Sequence, residues 1–234
     1  MLEVRGLRAG YGDTPVLHGI DLDVADGELV VVIGPNGHGK TTLLRTVSGL
    51  VRPTAGTVAL DGRRIDGWAP EAIARAGMVH VPQGDLPFGD MTVEENLLMG
   101  AFLPSAWRDR AERLARVFEL FPLLAERRSQ RARTLSGGER RMLALGRGLM
   151  SEARMLMIDE PSLGLAPVVV SEVYRRIDRI VATGMTLLLV EENFSHVRDL
   201  EARVLLLESG RIVRQGRVAE LLADPAVMTT YLGA

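Results

Sequence analysis

Apolar positions fall along this chain in two different patterns. Leu29-Val30-Val31-Val32-Ile33, Met155-Leu156-Met157-Ile158, Thr186-Leu187-Leu188-Leu189-Val190 and Val204-Leu205-Leu206-Leu207 are nearly unbroken apolar runs, and Met78-Val79-His80-Val81-Pro82-Gln83 reads as another. Runs of this kind suit strands covered on both faces, as in parallel sheets. Ile20-Asp21-Leu22-Asp23-Val24 instead alternates apolar with acidic residues, which predicts an antiparallel strand with one wet face. Leu2-Glu3-Val4 is a shorter piece of the same kind, and Thr57-Val58-Ala59-Leu60 before Asp61-Gly62 predicts a strand ending in a tight hairpin turn. From Gly84 to about Thr134 the pattern turns helical. Thr92 and Glu95 have capping-box spacing, and Ala111, Leu114, Ala115, Phe118 and Phe121 recur at helical intervals between Arg108 and Phe121. A last hairpin is expected across Ser209-Gly210, followed by a short helix from Val218. The pattern predicts an α/β core with a small antiparallel sheet beside it and a helical insertion.

Composition narrows the class. A chain of 234 residues with 47% hydrophobic and 25% charged residues can bury a substantial core, which excludes a disordered chain. A net charge of −2 gives no sign of a nucleic-acid surface, and none is expected as a partner. Zero cysteines exclude disulfides and thiolate metal sites and suit a reducing cytoplasm. The first residues, Met1-Leu2-Glu3-Val4-Arg5, lack the apolar stretch of a signal peptide, and no run approaches the ~20 apolar residues that cross a bilayer. Any link to a membrane is therefore expected to pass through a partner.

The chemistry starts at Gly34-Pro35-Asn36-Gly37-His38-Gly39-Lys40-Thr41-Thr42, between the first apolar run and the helix-like Leu43-Leu44-Arg45-Thr46-Val47. Strand, glycine-rich loop and helix is the setting in which G-x-x-x-x-G-K-[ST] becomes a phosphate site. Glycines let backbone N–H groups turn inward around a polyphosphate, and the helix start adds roughly half a positive charge. Lys40 can bring its ammonium to the β- and γ-phosphates, and the Thr41 hydroxyl is placed to ligate Mg²⁺. Asp159-Glu160 closes another apolar run. An Asp there can hold Mg²⁺ through water, and the following Glu can orient and deprotonate the attacking water. Leu135-Ser136-Gly137-Gly138-Glu139 opens a predicted helix through Met142 to Gly146, with Ser136 as N-cap. A cap alone does not explain the glycine pair, which reads as a second anion site without a lysine.

With these motifs in hand, the sequence resembles the ATP-binding subunits of ABC transporters, whose signature is this LSGG stretch. The resemblance covers nearly the whole chain. Gly34–Thr42 matches the Walker A motif and Met155–Glu160 the Walker B motif with its catalytic glutamate, while Ser162-Leu163-Gly164 matches the D-loop. Gln83 matches the Q-loop glutamine, a Mg²⁺ and water ligand that also senses the membrane partner, and Tyr11 matches the aromatic that stacks on adenine. The resemblance implies an α/β fold, a P-loop NTPase (RecA-like) core with an antiparallel β subdomain and a helical signature subdomain. Within one domain spanning 1–234, it assigns 1–28 and 55–66 to the β subdomain, 29–54, 67–84 and 150–234 to the nucleotide-binding core, and 85–149 to the helical subdomain. It implies binding of ATP with Mg²⁺ and hydrolysis to ADP and phosphate. Catalytic roles fall to Glu160, Gln83 and Glu192, and metal ligation to Thr41, Gln83 and Asp159.

A narrower similarity points to branched-chain amino acid importers. It is carried by Val81-Pro82-Gln83-Gly84, Met91-Thr92-Val93-Glu94-Glu95-Asn96-Leu97, Asp159 through Pro167, and the end Tyr231-Leu232-Gly233, which is similar to the smaller of that system's two ATPases. It implies integral membrane permease subunits, an indirect substrate-binding protein, and a place on the cytoplasmic face of the membrane. It also implies a second ATPase chain, giving a heterodimer in the cell and allowing a homodimer in isolation. Each ATP would lie between one chain's Lys40 and the other chain's Ser136, and the insertion after Gln83 would meet the membrane subunits. No physical argument ties these residues to leucine or valine. An importer of amides, urea or other amino acids, and a soluble regulatory ABC ATPase, both stay open.

One residue departs from the family pattern. Glu192 stands where the family usually has a histidine against the γ-phosphate and this subgroup often has glutamine. A carboxylate ~4 Å from a phosphate charge is repelled by roughly 1–4 kcal/mol. Glu192 is therefore expected to turn away, to take a proton, or to be bridged by Mg²⁺ or water. His196 reads as solvent-facing, with pairing to Glu192 as the alternative. Arg140-Arg141 reads as a solvated helix face, with contact to a partner's ATP as the alternative.

Overall fold

Two sheets form in the computed structural model, which describes residues 1–84 and 87–227. In chain order the strands are β1 (Leu2–Tyr11), β2 (Thr14–Val24), β3 (Leu29–Ile33), β4 (Ala55–Leu60), β5 (Arg63–Arg64), β6 (Met78–Val81), β7 (Met155–Asp159), β8 (Thr186–Glu191), β9 (Arg203–Glu208) and β10 (Arg211–Arg217). The helices are α1 (Lys40–Val47), α2 (Pro70–Arg75), α3 (Val93–Leu98), α4 (Pro104–Arg108), α5 (Arg110–Leu120), α6 (Pro122–Glu126), α7 (Gly137–Leu149), α8 (Pro167–Ala182), α9 (Val218–Leu222) and α10 (Pro225–Val227). The similarity of Tyr231-Leu232-Gly233 falls outside the described residues. Among the described residues no helix is long and apolar enough to cross a membrane.

The large sheet runs β10-β9-β3-β8-β7-β6, with β9 through β6 parallel and β10 returning antiparallel. Every residue of β3, β7 and β8 is buried, as unbroken apolar runs require. Alternation within those runs feeds two cores. Val31, Ile33, Leu187 and Leu189 face α7 and α8, while Val30, Val32, Leu188 and Val190 pack with α1 and the small sheet. The C-terminal ends of the central strands lie level, with Ile33 beside Glu191 and Asp159 beside Val190. Ligands of open α/β sheets bind at that edge.

The small sheet, β2-β1-β4-β5, is antiparallel. Its first strand is much longer than Leu2-Glu3-Val4. A register shift between Val4 and Leu7 carries the pairing on, and Gly6 there adopts φ 57 while its N–H bonds to Asp21 Oδ1 at 2.8 Å. Both expected hairpins form, with φ of 50 and 74 at Asp61-Gly62 and 45 and 72 at Ser209-Gly210.

Two expectations need correction. The buried strand foreseen over Met78–Gln83 ends at Val81 and lies at the sheet edge, so Val79 and His80 are only part-buried. In the helical insertion Ala111 and Ala115 are exposed, and Val117 with Phe121 makes the buried contact. Along α5 it is the larger side chains Leu114, Val117 and Phe118, with Phe121, that pack on the core, while the alanines lie on the flank of that stripe. The capping box of Thr92 and Glu95 forms as expected, with Thr92 N–H donating to Glu95 Oε2 at 2.7 Å.

Candidate functional site

The glycine-rich loop leaves the end of β3 and is held on both sides. Gly34 N–H donates to the Glu191 carbonyl at 3.2 Å, and a Cβ on Gly34 would meet the Leu207 carbonyl oxygen at 2.3 Å, so no larger residue fits. Gly39 turns at φ 105 to start α1. His38 aims its ring away from the loop's interior, its Nδ1 accepting from Ser209 N–H at 3.1 Å, so it anchors the loop to the last hairpin. Its main chain remains on the loop.

Lys40 is only 3% exposed. Its Nζ donates to the carbonyls of Gly34 at 2.8 Å and Pro35 at 3.2 Å, and it pairs with Glu160 Oε1 at 3.0 Å. Glu160 is buried and holds φ 45, a left-handed backbone that costs a non-glycine residue on the order of 1 kcal/mol and persists at over-determined sites. Gln83 Nε2 donates to the other oxygen of Glu160 at 3.1 Å. Thr41 Oγ1 donates to Asp159 Oδ1 at 3.1 Å. Burial pushes the Asp159 carboxyl up to about 6. The Glu160 charge adds to that rise, and the Thr41 bond with the Arg45 and Lys40 charges opposes it. Tyr11, Asn36, Lys40, Thr41, Gln83 and Glu160 thus surround one cleft of about 320 Å³, with the half-exposed Tyr11 ring at its rim.

Ser136, Gly137 and Gly138 do not line that cleft. Ser136 caps α7 in a reciprocal box, Glu139 N–H to Ser136 Oγ at 3.4 Å and Ser136 N–H to Glu139 Oε2 at 2.8 Å, and Glu139 pairs with Arg127 at 3.1 Å. Gly138 has a packing reason that sequence reading missed, because a Cβ there would sit 2.3 Å from Val169 Cγ1 on α8. The solvated face expected of Arg140-Arg141 is wrong for its second member. Arg141 is 2% exposed on the inner face of α7, whereas Arg140 bonds the Leu135 carbonyl at 2.8 Å.

Glu192 is exposed and turned onto the phosphate loop, where Asn36 Nδ2 donates to its Oε2 at 2.9 Å. His196 neither faces solvent nor pairs with Glu192. It is part-buried, its Nδ1 lies 3.8 Å from Glu191 Oε1, and its ring centre is 5.8 Å from that of Tyr174. Both readings of His196 fail because Glu191, not Glu192, points inward. Glu191 is the residue sequence reasoning missed. It is 1% exposed and accepts from the Tyr174 hydroxyl at 2.6 Å. Burial first, and then the Glu191 charge, hold that phenol well above its usual range, so it stays a donor. The available signal was an acid ending the Thr186–Val190 run, as Asp159 ends the other.

Among the described residues no three His, Cys, Asp or Glu side chains gather as a metal cage. One hydroxyl and one carboxylate, Thr41 and Asp159, are hard oxygen donors. That is the kind of partial set with which Mg²⁺ is held alongside substrate phosphates and water.

Comparison with known proteins agrees with the motifs. The ABC transporter family model matches residues 17–163. The chain is 42% identical to the high-affinity branched-chain amino acid transport ATP-binding protein BraG of Pseudomonas aeruginosa, over 100% of both chains. It is 34% identical to the glutamine transport ATP-binding protein GlnQ of Escherichia coli, covering 96% of this chain and 95% of that one. The crystal structure of the ADP conformation of an ABC transporter ATP-binding cassette superposes with a TM-score of 0.87 at 27% identity, covering 100% and 99% of the two chains.

Proposed function

The chain belongs to the ABC transporter family of ATP-hydrolysing subunits, and from that premise we propose that it powers an importer of branched-chain amino acids. The observation that carries the mechanism is the Lys40–Glu160–Gln83 constellation above the Thr41–Asp159 pair, in a cleft without signature residues. Loop N–H groups between Asn36 and Thr42 and the Lys40 ammonium bind the phosphates, and Tyr11 stacks on the base. Lys40 exchanges its bond to Glu160 for one to phosphate. Glu160 is then released to hold and deprotonate the attacking water beside Gln83. Thr41, Asp159 and Gln83 would hold Mg²⁺, which would supply neutralisation of the phosphate charge.

Ser136, Gly137 and Gly138 of a second ATPase subunit complete the cleft, so ATP closes the pair and hydrolysis loosens it. The second subunit is a different chain in the cell and a second copy in isolation. The working place is peripheral, on the cytoplasmic face, against permease subunits fed by a substrate-binding protein. Exposed Phe88, Met99 and Phe102 line a groove of about 460 Å³ following Gln83, and this apolar surface suits the permease contact. Glu192 weakens the γ-phosphate contact while it stays on Asn36, so Glu192→His should raise turnover, and an unchanged or lower rate counts against that role.

The importer reading is tested by purifying the chain with its integral membrane subunits and measuring ATP-driven uptake of leucine, isoleucine and valine. Uptake of an amide, urea or other amino acid instead would move the substrate assignment. Failure to purify with any membrane protein would favour a soluble regulatory ATPase.

A further inference from the structure

Glu191 gathers hydrogen bonds from parts of the molecule far apart in sequence. Its Oε1 accepts from the Tyr174 hydroxyl on α8 at 2.6 Å and from Ser162 N–H at 3.3 Å. Its Oε2 accepts from Glu192 N–H at 2.8 Å and from Asn193 N–H at 3.5 Å. Its main-chain carbonyl accepts from Gly34 N–H, the first residue of the phosphate loop, at 3.2 Å. At 1% exposure, little water competes for these bonds.

The consequence lies in the loop after β7. Glu160 N–H donates to the Val190 carbonyl at 3.0 Å, Pro161 has no N–H, and Ser162 N–H reaches Glu191. Among the described residues, the attachment of residues 160–162 to β8 therefore rests on one main-chain bond, which side-chain replacement leaves in place, and one bond that the Glu191 carboxylate supplies. That loop holds Glu160 in its left-handed backbone, and such a conformation persists only where its surroundings over-determine it. Glu160, Ser162 and Glu192 also face a shared cleft of about 580 Å³ with Glu191 at its wall.

We propose that Glu191 is a positioning residue for ATP hydrolysis: its single buried carboxylate fixes the loop bearing Glu160 and the segment bearing Glu192 relative to the phosphate loop, with Tyr174 holding the carboxylate in place. It acts through the loop that bears Glu160 rather than on the reacting atoms. The role rests on the reading of Glu160 as the hydrolytic base.

The test uses the full chain with Mg²⁺ and ATP, comparing wild type, Glu191→Gln and Tyr174→Phe by phosphate release, ATP affinity and melting temperature. An amide in place of the carboxylate can no longer accept on both edges. Glu191→Gln should lower kcat roughly 10- to 100-fold while ATP affinity stays within about twofold, and melting should fall by several degrees because buried N–H donors lose their acceptor. Tyr174→Phe should lower kcat in the same selective way but less. Wild-type turnover in Glu191→Gln, or a parallel loss of affinity, melting and turnover, overturns the proposal. Should Glu191→Gln not fold, Tyr174→Phe decides by the same split. A wild-type chain that binds ATP but releases no phosphate removes the hydrolytic reading, and the positioning role with it. An active wild type beside an unimpaired Glu191→Gln removes the positioning role alone.

Discussion

Two helices of this molecule begin on glycines, and they are finished in opposite ways. At the start of α1, Lys40 is buried against Glu160 at 3.0 Å and Thr41 bonds Asp159, so charge and counter-charge come from one chain. At the start of α7 the cap is complete with Ser136 and Glu139, and no cation belongs to the LSGG stretch itself. The first site is built to exchange a carboxylate for a phosphate. The second offers a hydroxyl and a helix N-terminus, which matter when another molecule delivers the phosphate. On the proposed function, this difference is why one chain would carry two half-sites rather than one whole site.

The strongest way to break the first half is Glu160→Gln, which should slow phosphate release about 10²–10⁴-fold while leaving ATP binding in place. Lys40→Ala comes next. It removes charge-assisted bonds each worth about 1.5–3 kcal/mol, so ATP affinity measured by calorimetry should fall roughly 10- to 150-fold.

Acid should strike the first half by another route. Burial, helped by the Arg45 charge, lowers His80 to about 4, and its Nδ1 lies 3.4 Å from Ser48 just past the end of α1. The folded pKa lies below the unfolded one, so the unfolded chain binds more protons between about pH 6.5 and 4. Stability should therefore be whole above that window and fall as pH drops through it, by no more than about 3–4 kcal/mol. His80→Gln should flatten that loss in a denaturation series. Ser136→Ala should have the smallest effect on the fold, about 1 kcal/mol from the lost cap. It should leave the single chain's ATP affinity unchanged while lowering turnover of the pair.

The contrast between the two helix starts also separates what the sequence shows from what it hides. Local arrangements were legible: Leu29–Ile33 followed by Gly34–Thr42, the capping box at Thr92, the N-cap at Ser136, and the turns at Asp61-Gly62 and Ser209-Gly210 each depend on a few adjacent residues. Arrangements across the chain were not. Gly138 answers to Val169, Arg141 lies on the buried side of α7, and Glu191 meets Tyr174 and Ser162 only once β7, β8 and α8 are packed. His196 was misplaced because nothing local says which of two adjacent glutamates points inward.

The division into two half-sites is tested most directly by the mass of the Glu160→Gln chain in solution, by light scattering with Mg²⁺ and ATP. Twice the mass of one chain with ATP, returning to one chain with ADP or after adding Ser136→Ala, is the expected result. A single-chain mass at saturating ATP would contradict it.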